Sequence, residues 1–488
     1  MSAPAAPRNP YVGPRAFKPR ETLPARDREK RQLANLLRAE RIVLLHSPSG
    51  AGKTSLINAG LESMWRKDER FRATPALRVN TPPPVNREIH NRYVHSVALG
   101  LLDGEHAPER IAQLTLPEVM EAAAPRFEGR HPVLMLDQFE EILVLNPADR
   151  DGQEVFFAEL GEVLDDGSVW ALLSMREDYM GGLARFVRYI PGHLATRYRL
   201  DFLEKDAAAV AIQKPAQDQH IGFPDEAAGL LVEKLATVTV QTPGGGAKEV
   251  PAPYVQPVQL QVVCLSLWRS VVQQQRAKGE PFREIGVRDA EQVDIPKALR
   301  GYYAGVVRGV AAETGADEMT IRRWFESELI SPQRYRSQTL TGPQSGDVDP
   351  KEVLTALEAG YIIRGDPRGD STWWELAHDK MVMPVLQDNA DWMLPHLAPW
   401  QLAAREWDKT RHPSRLLGPI ELRAALRQAE RDELNAVERS FLDASRQAEH
   451  ERGVLSRTQS RVSFVGLIAL AELLVIVVLL VLLMQEVS

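Results

Sequence analysis

The segment Ser47-Pro48-Ser49-Gly50-Ala51-Gly52-Lys53-Thr54 restricts this chain more than any other feature. The aliphatic run Arg41–His46 precedes it and stops at the loop, as a buried parallel strand does. A helix-patterned stretch, Thr54–Trp65, follows, with Leu56, Ile57, Ala59, Gly60 and Leu61 on its packing side. Small residues between a strand and a helix leave backbone N–H groups pointing inward, and with the helix N-terminus they make a nest for anionic oxygens. The contacts expected around phosphates run from Ser49, Gly50, Ala51 and Gly52 through Lys53, Thr54 and Ser55. Lys53 brings a movable positive charge to the β- and γ-phosphates, and the Thr54 hydroxyl is placed to ligate Mg²⁺. Ser47 stands where G-x-x-x-x-G-K-[ST] has its first glycine. The ligand implied is ATP or GTP with Mg²⁺; these residues do not choose between the two bases.

Such a loop needs a carboxylate at the end of a neighbouring strand to anchor the cation. Val133-Leu134-Met135-Leu136-Asp137 supplies it, and Gln138-Phe139-Glu140-Glu141 follows. Either glutamate is a candidate to polarise an attacking water. Met175-Arg176 closes another strand candidate, Val169–Met175, where an arginine would sense the γ-phosphate. Ala76–Val79, Pro132–Leu136 and Tyr198–Leu203 are further strand candidates. Strands alternating with helices imply an α/β core, a parallel sheet with helices on both faces.

Beyond Asp206 the strands thin out. Ala207–Gln213, Ala227–Ala236 and Gln259–Gln275 read as helices, with a Gly244–Gly246 loop between the last two. Met319–Leu329 and Pro350–Gly360 are helical, and Tyr361–Arg364 and Ser371–Ala377 are β-prone around a turn at Gly365–Asp370. Helices followed by a hairpin describe a winged helix. The acidic flanks of Pro350–Gly360 (Asp347, Asp349, Glu352 and Glu358 against Lys351) repel phosphates and argue against DNA as a partner.

Hydrophobic residues make up 44% of 488 and the net charge is −7, so packed cores are expected and a global polyanion-binding surface is not. A single cysteine, Cys264, excludes an internal disulfide framework and sits in an apolar run suited to a buried thiol. Met1–Pro10, rich in Ala and Pro, reads as a disordered lead-in. Near the other end Val462–Met484 is apolar apart from Ser463 and Glu472. As a helix its ~23 residues cover a bilayer core. Arg452, Arg457 and Arg461 precede it, so the expectation is a single-pass C-terminal anchor with the nucleotide-binding part in the cytoplasm. Gly466 and Ala469 with Glu472 suggest association between such helices.

Several strings together carry a family likeness: Asn9-Pro10-Tyr11-Val12-Gly13-Pro14-Arg15-Ala16-Phe17, Ser47–Ser55, Asp137-Gln138-Phe139-Glu140-Glu141, Arg176 with Asp178, and Glu375-Leu376-Ala377-His378. In this the chain resembles the novel STAND NTPases of bacteria, signalling ATPases of the AAA-related branch of P-loop proteins. The resemblance implies that Arg26 lies near the nucleotide, with Ala25 where a glycine is usual, and that Pro215 packs against adenine, with Lys214 beside it in place of a glycine. It further implies that His378, at the end of the winged-helix hairpin, contacts the β-phosphate of ADP and holds a closed state. Self-association on activation and a role in bacterial signalling or phage defence are implied in the same way. A sensor or effector protein, unidentified by any residue here, would complete the system.

The domain map expected is a lead-in at 1–20, a P-loop NTPase domain at 21–205, a helical domain at 206–315, a winged helix at 316–395, a helical linker at 396–461 and a transmembrane helix at 462–484. The leading function is an ATP-binding and -hydrolysing switch with slow, regulatory turnover. A motor ATPase at the membrane and a tethered DNA-binding regulator remain as alternatives.

Overall fold

A computed structural model describes residues 8–79, 88–102, 108–144, 148–241, 247–279, 282, 284–368, 371–429, 434 and 437–452. Five parallel strands form the central sheet: β1 (Ile42–Ser47), β2 (Phe71–Ala73), β3 (His131–Leu136), β4 (Trp170–Arg176) and β5 (Arg197–Arg199). Their order is β2-β3-β4-β1-β5, so β4 separates the strand that enters the phosphate loop from the strand that ends at Asp137. Side chains alternate along the strands between two cores. Leu44, Leu134, Leu136, Leu173 and Met175 face one, which the helices Arg92–Leu102, Leu116–Ala123 and Arg150–Asp165 cover. Val43, Leu45, Val133, Met135 and Leu172 face the other, covered by Asp27–Glu40 and by the helix that follows the phosphate loop. That helix runs from Lys53 to Trp65 and is π-wound over Leu56–Glu62.

Two strand expectations shift. Ala76–Val79 is not a strand: the edge strand is Phe71–Ala73, and after Pro75 the chain keeps only a bridge between Leu77 and Leu136. Tyr198–Leu203 splits into β5 and a separate two-residue strand, Leu203–Glu204, paired antiparallel with Tyr254–Val255. The lead-in is shorter than expected, because Asn9 Nδ2 donates to the Leu265 carbonyl at 3.3 Å and Tyr11 is buried with its hydroxyl on the Ile212 carbonyl at 2.5 Å.

A third core gathers Tyr11 and the helices Lys205–Gln217, Asp225–Leu235 and Pro257–Lys278. Cys264 lies inside it, fully buried, and burial pushes its thiol pKa up, which suits packing and not nucleophilic chemistry. Between the last two helices the strands Thr237–Gln241 and Ala247–Pro251 pair as a hairpin that the sequence reading missed; the Gly244–Gly246 loop lies outside the described residues. A fourth core joins the helices Ile295–Thr314, Glu318–Glu328 and Pro350–Ala359 to a three-stranded antiparallel sheet ordered Gln338–Thr339, Ser371–Leu376, Ile363–Arg368. The first strand of that hairpin runs on to Arg368, through most of the expected turn.

By its contacts the chain divides into two compact units, Met1–Asp388 and Asn389–Ser488. In the second, the helices Pro399–Thr410, Pro419–Ala429 and 437–452 pack around Trp400, Trp407, Phe441 and Leu442, with Gln401 Nε2 donating to Glu438 Oε1 at 3.1 Å.

The expected membrane location is not upheld. Among the described residues no helix is long and apolar enough to cross a membrane, and the segment 462–484 lies outside them. The single-pass C-terminal anchor therefore has no structural support.

Candidate nucleotide site

β1 delivers the phosphate loop at its C-terminal end. Gly50 (φ +78°) and Gly52 (φ +98°) hold left-handed conformations that side-chain-bearing residues seldom adopt, which turns the loop back over the helix N-terminus. Ser47, fully buried, explains its presence in place of glycine: its hydroxyl accepts from Lys53 Nζ at 2.9 Å and donates to the Pro48 carbonyl at 2.7 Å. Burial pulls the Lys53 pKa down, and the nearby Glu140 and Asp137 carboxylates partly restore it.

The buried Asp137 accepts from the Thr54 hydroxyl at 2.7 Å on one oxygen and from Ser174 at 2.7 Å on the other. The turn after β3 places Gln138 at φ +53°, anchors Phe139 in the core and returns Glu140 to the sheet's end. There Glu140 Oε2 accepts from the Arg176 backbone N–H at 3.2 Å. Burial pushes the Glu140 pKa up, against the pull of Lys53. Glu141 goes elsewhere: burial pushes its pKa up to about 7, and its carboxylate is held by Arg78, whose Nε donates at 3.2 Å. The two neighbouring glutamates thus differ in partner, one near Lys53 and one on an arginine. Arg176 ends β4 with Nη2 on Asp178 at 2.7 Å, its guanidinium 5.1 Å from the Tyr179 ring centre and its buried Nε without a hydrogen-bond partner among the described residues.

The antiparallel hairpin meets the loop directly. Arg364 Nη1 donates to Ser49 Oγ at 2.6 Å. A Cβ placed on Gly50 would stand 3.1 Å from His378 Cε1, so the imidazole lies against the loop. Arg364 also pairs with the buried Glu375, which accepts from Gln338 Nε2 at 3.0 Å and has Arg336 Nε at 3.6 Å. Burial alone would raise the Glu375 pKa, but these cations and the amide hold it below the usual value. His378 is pushed down to about 4 by burial and by Arg364 and Arg336, so its ring is neutral near pH 7. A cavity of ≈ 250 Å³ opens here, bounded by Pro48, Ser49, Arg176, Arg336, His378 and Lys380 among others. Arg364, Arg336 and Lys380 escaped the sequence reading. Only Lys380 lies next to the Glu375–His378 string; Arg364 and Arg336 carry no local signal.

Three expected contacts sit differently from the rest. The buried Arg26 spends its guanidinium on protein groups, with Nη1 on Glu29 at 2.9 Å and Nη2 on the carbonyls of Ala51 at 3.0 Å and Asp201 at 2.7 Å. It braces the phosphate loop from behind. Ser55 Oγ accepts from the Phe17 N–H at 3.1 Å, tying the N-terminal segment to the loop's helix. Pro215 lies inside the helix Lys205–Gln217 and is not part of the cavity wall.

Among the described residues no group of three His, Cys, Asp or Glu side chains could hold a metal alone. One hydroxyl and one carboxylate 2.7 Å apart do fit Mg²⁺, which takes most of its six oxygens from phosphates and water. Thr54 and Asp137 would hold it, and it would supply neutralisation of phosphate charge.

A parallel sheet with this loop on one strand and an acid on the next but one defines a P-loop NTPase. The chain belongs to the family described as Novel STAND NTPase 1, whose sequence model matches residues 10–287, more than half of its length. No curated protein sequence matches it. Similar solved structures include the Aeropyrum pernix ORC2 protein in ADPNP–ADP complexes, at 11% identity and TM-score 0.40, covering 79% of this chain and 98% of that one. A Walker-type ATPase of Pyrococcus abyssi aligns at 13% identity and TM-score 0.39, covering 76% and 98%. The Aeropyrum pernix ORC1 protein in complex with DNA aligns at 14% and 0.39, covering 76% and 93%. Likenesses this distant carry no weight for function.

Proposed function

We propose that the chain is a nucleotide-controlled signalling switch: ADP bound with Mg²⁺ on Ser47–Thr54 keeps the C-terminal sheet closed over the phosphate loop, and exchange for ATP opens it. The observation that carries this is the contact of the hairpin with the loop itself, Arg364 on Ser49 and His378 against Gly50. We read 316–395 as a winged helix acting in closure, 206–315 as the helical part beneath it, and 21–205 as the NTPase domain. Lys53 and Thr54 bind phosphate and cation with Asp137, and the N–H groups of Ser49, Gly50, Ala51, Gly52 and Ser55 line the anion nest. Glu140 is the base that orients the attacking water, since Glu141 is engaged by Arg78. Arg176, at the end of β4, senses the terminal phosphate. Family likeness alone supports Pro215 packing on the base, outside the cavity described above, and Arg26 lies near the nucleotide as it holds the loop. Opening frees surfaces for self-association and for a partner that senses or executes the signal.

Turnover in such a switch is slow, because closure must relax before exchange. The test is the nucleotide carried by the purified chain, measured by chromatography after denaturation, alongside its steady-state hydrolysis rate. Near-stoichiometric ADP with slow turnover is expected. An empty site with rapid multiple turnover would point to a motor and end the switch reading.

A further inference from the structure

The cavity beside the phosphate loop holds more positive charge than its acids neutralise. Two acids border it, and both are engaged: Asp178 pairs with Arg176 at 2.7 Å, and Glu177 pairs with Arg199 at 3.0 Å and has His46 at 3.9 Å. Glu375 is shared between two guanidiniums, Arg364 and Arg336. Lys380, on the same wall as His378, has no hydrogen bond or ion pair among the described residues. It also borders a small, mainly apolar cavity with Pro14, Val258, Val262 and Leu299, so part of its side chain lies beside apolar surface. Burial accordingly lowers its pKa, and no acid among the described residues opposes the effect. A half-buried ammonium without a counter-ion is costly unless something anionic arrives. Pro48 and Ser49 of the phosphate loop line the same space, so the anion nearest at hand is the end of a phosphate chain seated on that loop.

We propose that Lys380 contacts the terminal phosphate of the bound nucleotide, so that the C-terminal sheet is held to the loop through the ligand as well as through Arg364. The proposal rests on the reading of Ser47–Thr54 as a nucleotide site. It assigns a new residue and makes closure depend on charge. The terminal phosphate is the β-phosphate of ADP or the γ-phosphate of a triphosphate, and one set of measurements separates the two.

Dissociation of fluorescent N-methylanthraniloyl ADP and of the matching non-hydrolysable triphosphate is followed by chase with excess unlabelled ADP. Wild type, Lys380→Gln, Lys380→Arg and Lys53→Ala are compared as full chains, with thermal unfolding as a check on folding. Lys380→Gln is expected to release ADP about tenfold faster, as for loss of one charged contact, with Lys380→Arg within about twofold of wild type. Faster release of the triphosphate alone upholds the contact but moves it to the γ-phosphate and overturns ADP-driven closure. Unchanged release of both nucleotides, or a defect that Lys380→Arg shares, overturns the contact while leaving the nucleotide site standing. A wild type that binds no better than Lys53→Ala overturns both.

Discussion

The two walls of the nucleotide cleft are built on opposite plans. On the parallel-sheet side nearly every charge has a protein partner: Asp137 takes two hydroxyls, Lys53 rests on Ser47, and Glu141 is locked to Arg78. On the antiparallel side a neutral imidazole and an ammonium unpaired among the described residues border the cavity beside the loop, and two guanidiniums share one carboxylate. Partners on the first wall preorganise groups that must keep fixed positions around phosphate and metal. Their scarcity on the second suits a surface that gains most when a ligand lies between the walls, and that can leave when the ligand changes. If the chain is the switch proposed above, chemistry belongs to the first wall and regulation to the second.

The sharpest way to break this division is to compare lesions across it. Lys53→Ala should lower single-turnover ATP hydrolysis by about 10²–10³-fold and weaken nucleotide binding as well. Glu140→Gln should cost a similar ~10²-fold or more in hydrolysis while ADP stays bound. Glu141→Gln should change the rate by less than about fivefold, because its carboxylate faces Arg78 and not Lys53. Quench-flow rates on the three proteins decide it. If Glu141→Gln proves as damaging as Glu140→Gln, the assignment of base and brace is reversed.

A smaller effect is expected from the second wall. Arg364→Gln removes the donor to Ser49 yet leaves Glu375 with Arg336 and Gln338, so the fold should survive. Losing one charge-assisted bond of about 1.5 kcal/mol corresponds to ADP release roughly tenfold faster, with single-turnover hydrolysis within about twofold of wild type. Stopped-flow release and quench-flow rates measured together separate a closing residue from a catalytic one. Equal damage to both would merge the two walls into one active site.

The first wall was legible in the sequence and the second was not, for a physical reason. Phosphate loops and the acid that closes β3 are local strings, where spacing along the chain sets spacing in space. The sheet shared this: alternation in Val43-Leu44-Leu45 and Val133-Leu134-Met135 places residues on two covered faces. Where one residue carries two meanings, the local string leaves its bonds unread. Ser47 stands at the motif's first glycine position, and only the fold shows its hydroxyl accepting from Lys53. Arg26, expected near the nucleotide through family likeness, donates to the carbonyls of Ala51 and Asp201, bonds that its local string does not show. The π-wound Leu56–Glu62 has a helical pattern that does not reveal its winding. Arg364 touches Ser49 from 315 positions away, a contact no local pattern encodes. His378 was anticipated through family likeness; its packing on Gly50 came from the fold.

The gentlest test of the comparison uses pH. Arg364, Arg336 and the loop at Gly50 surround His378, and its pKa falls from an ordinary 6.5 to about 4. A depressed value means the unfolded chain binds the proton first, so the stability due to the neutral ring is complete above about pH 6.5 and drains away as pH falls toward 4. Glu141 acts with the opposite sign. Its pKa rises from 4.5 to about 7, so the folded chain holds that proton more tightly, and stability falls as pH climbs through the same range. The two slopes largely cancel in the wild type between about pH 4.5 and 6.5. Substitution uncovers each: His378→Gln should leave a stability that falls with rising pH, and Glu141→Gln one that rises, each by at most about 1.4 kcal/mol per pH unit. Urea unfolding midpoints at half-unit intervals read both slopes. A His378→Gln profile parallel to wild type would mean the ring is not held neutral against the loop, and the second wall would lose the neutral contact set beside its unpaired charge.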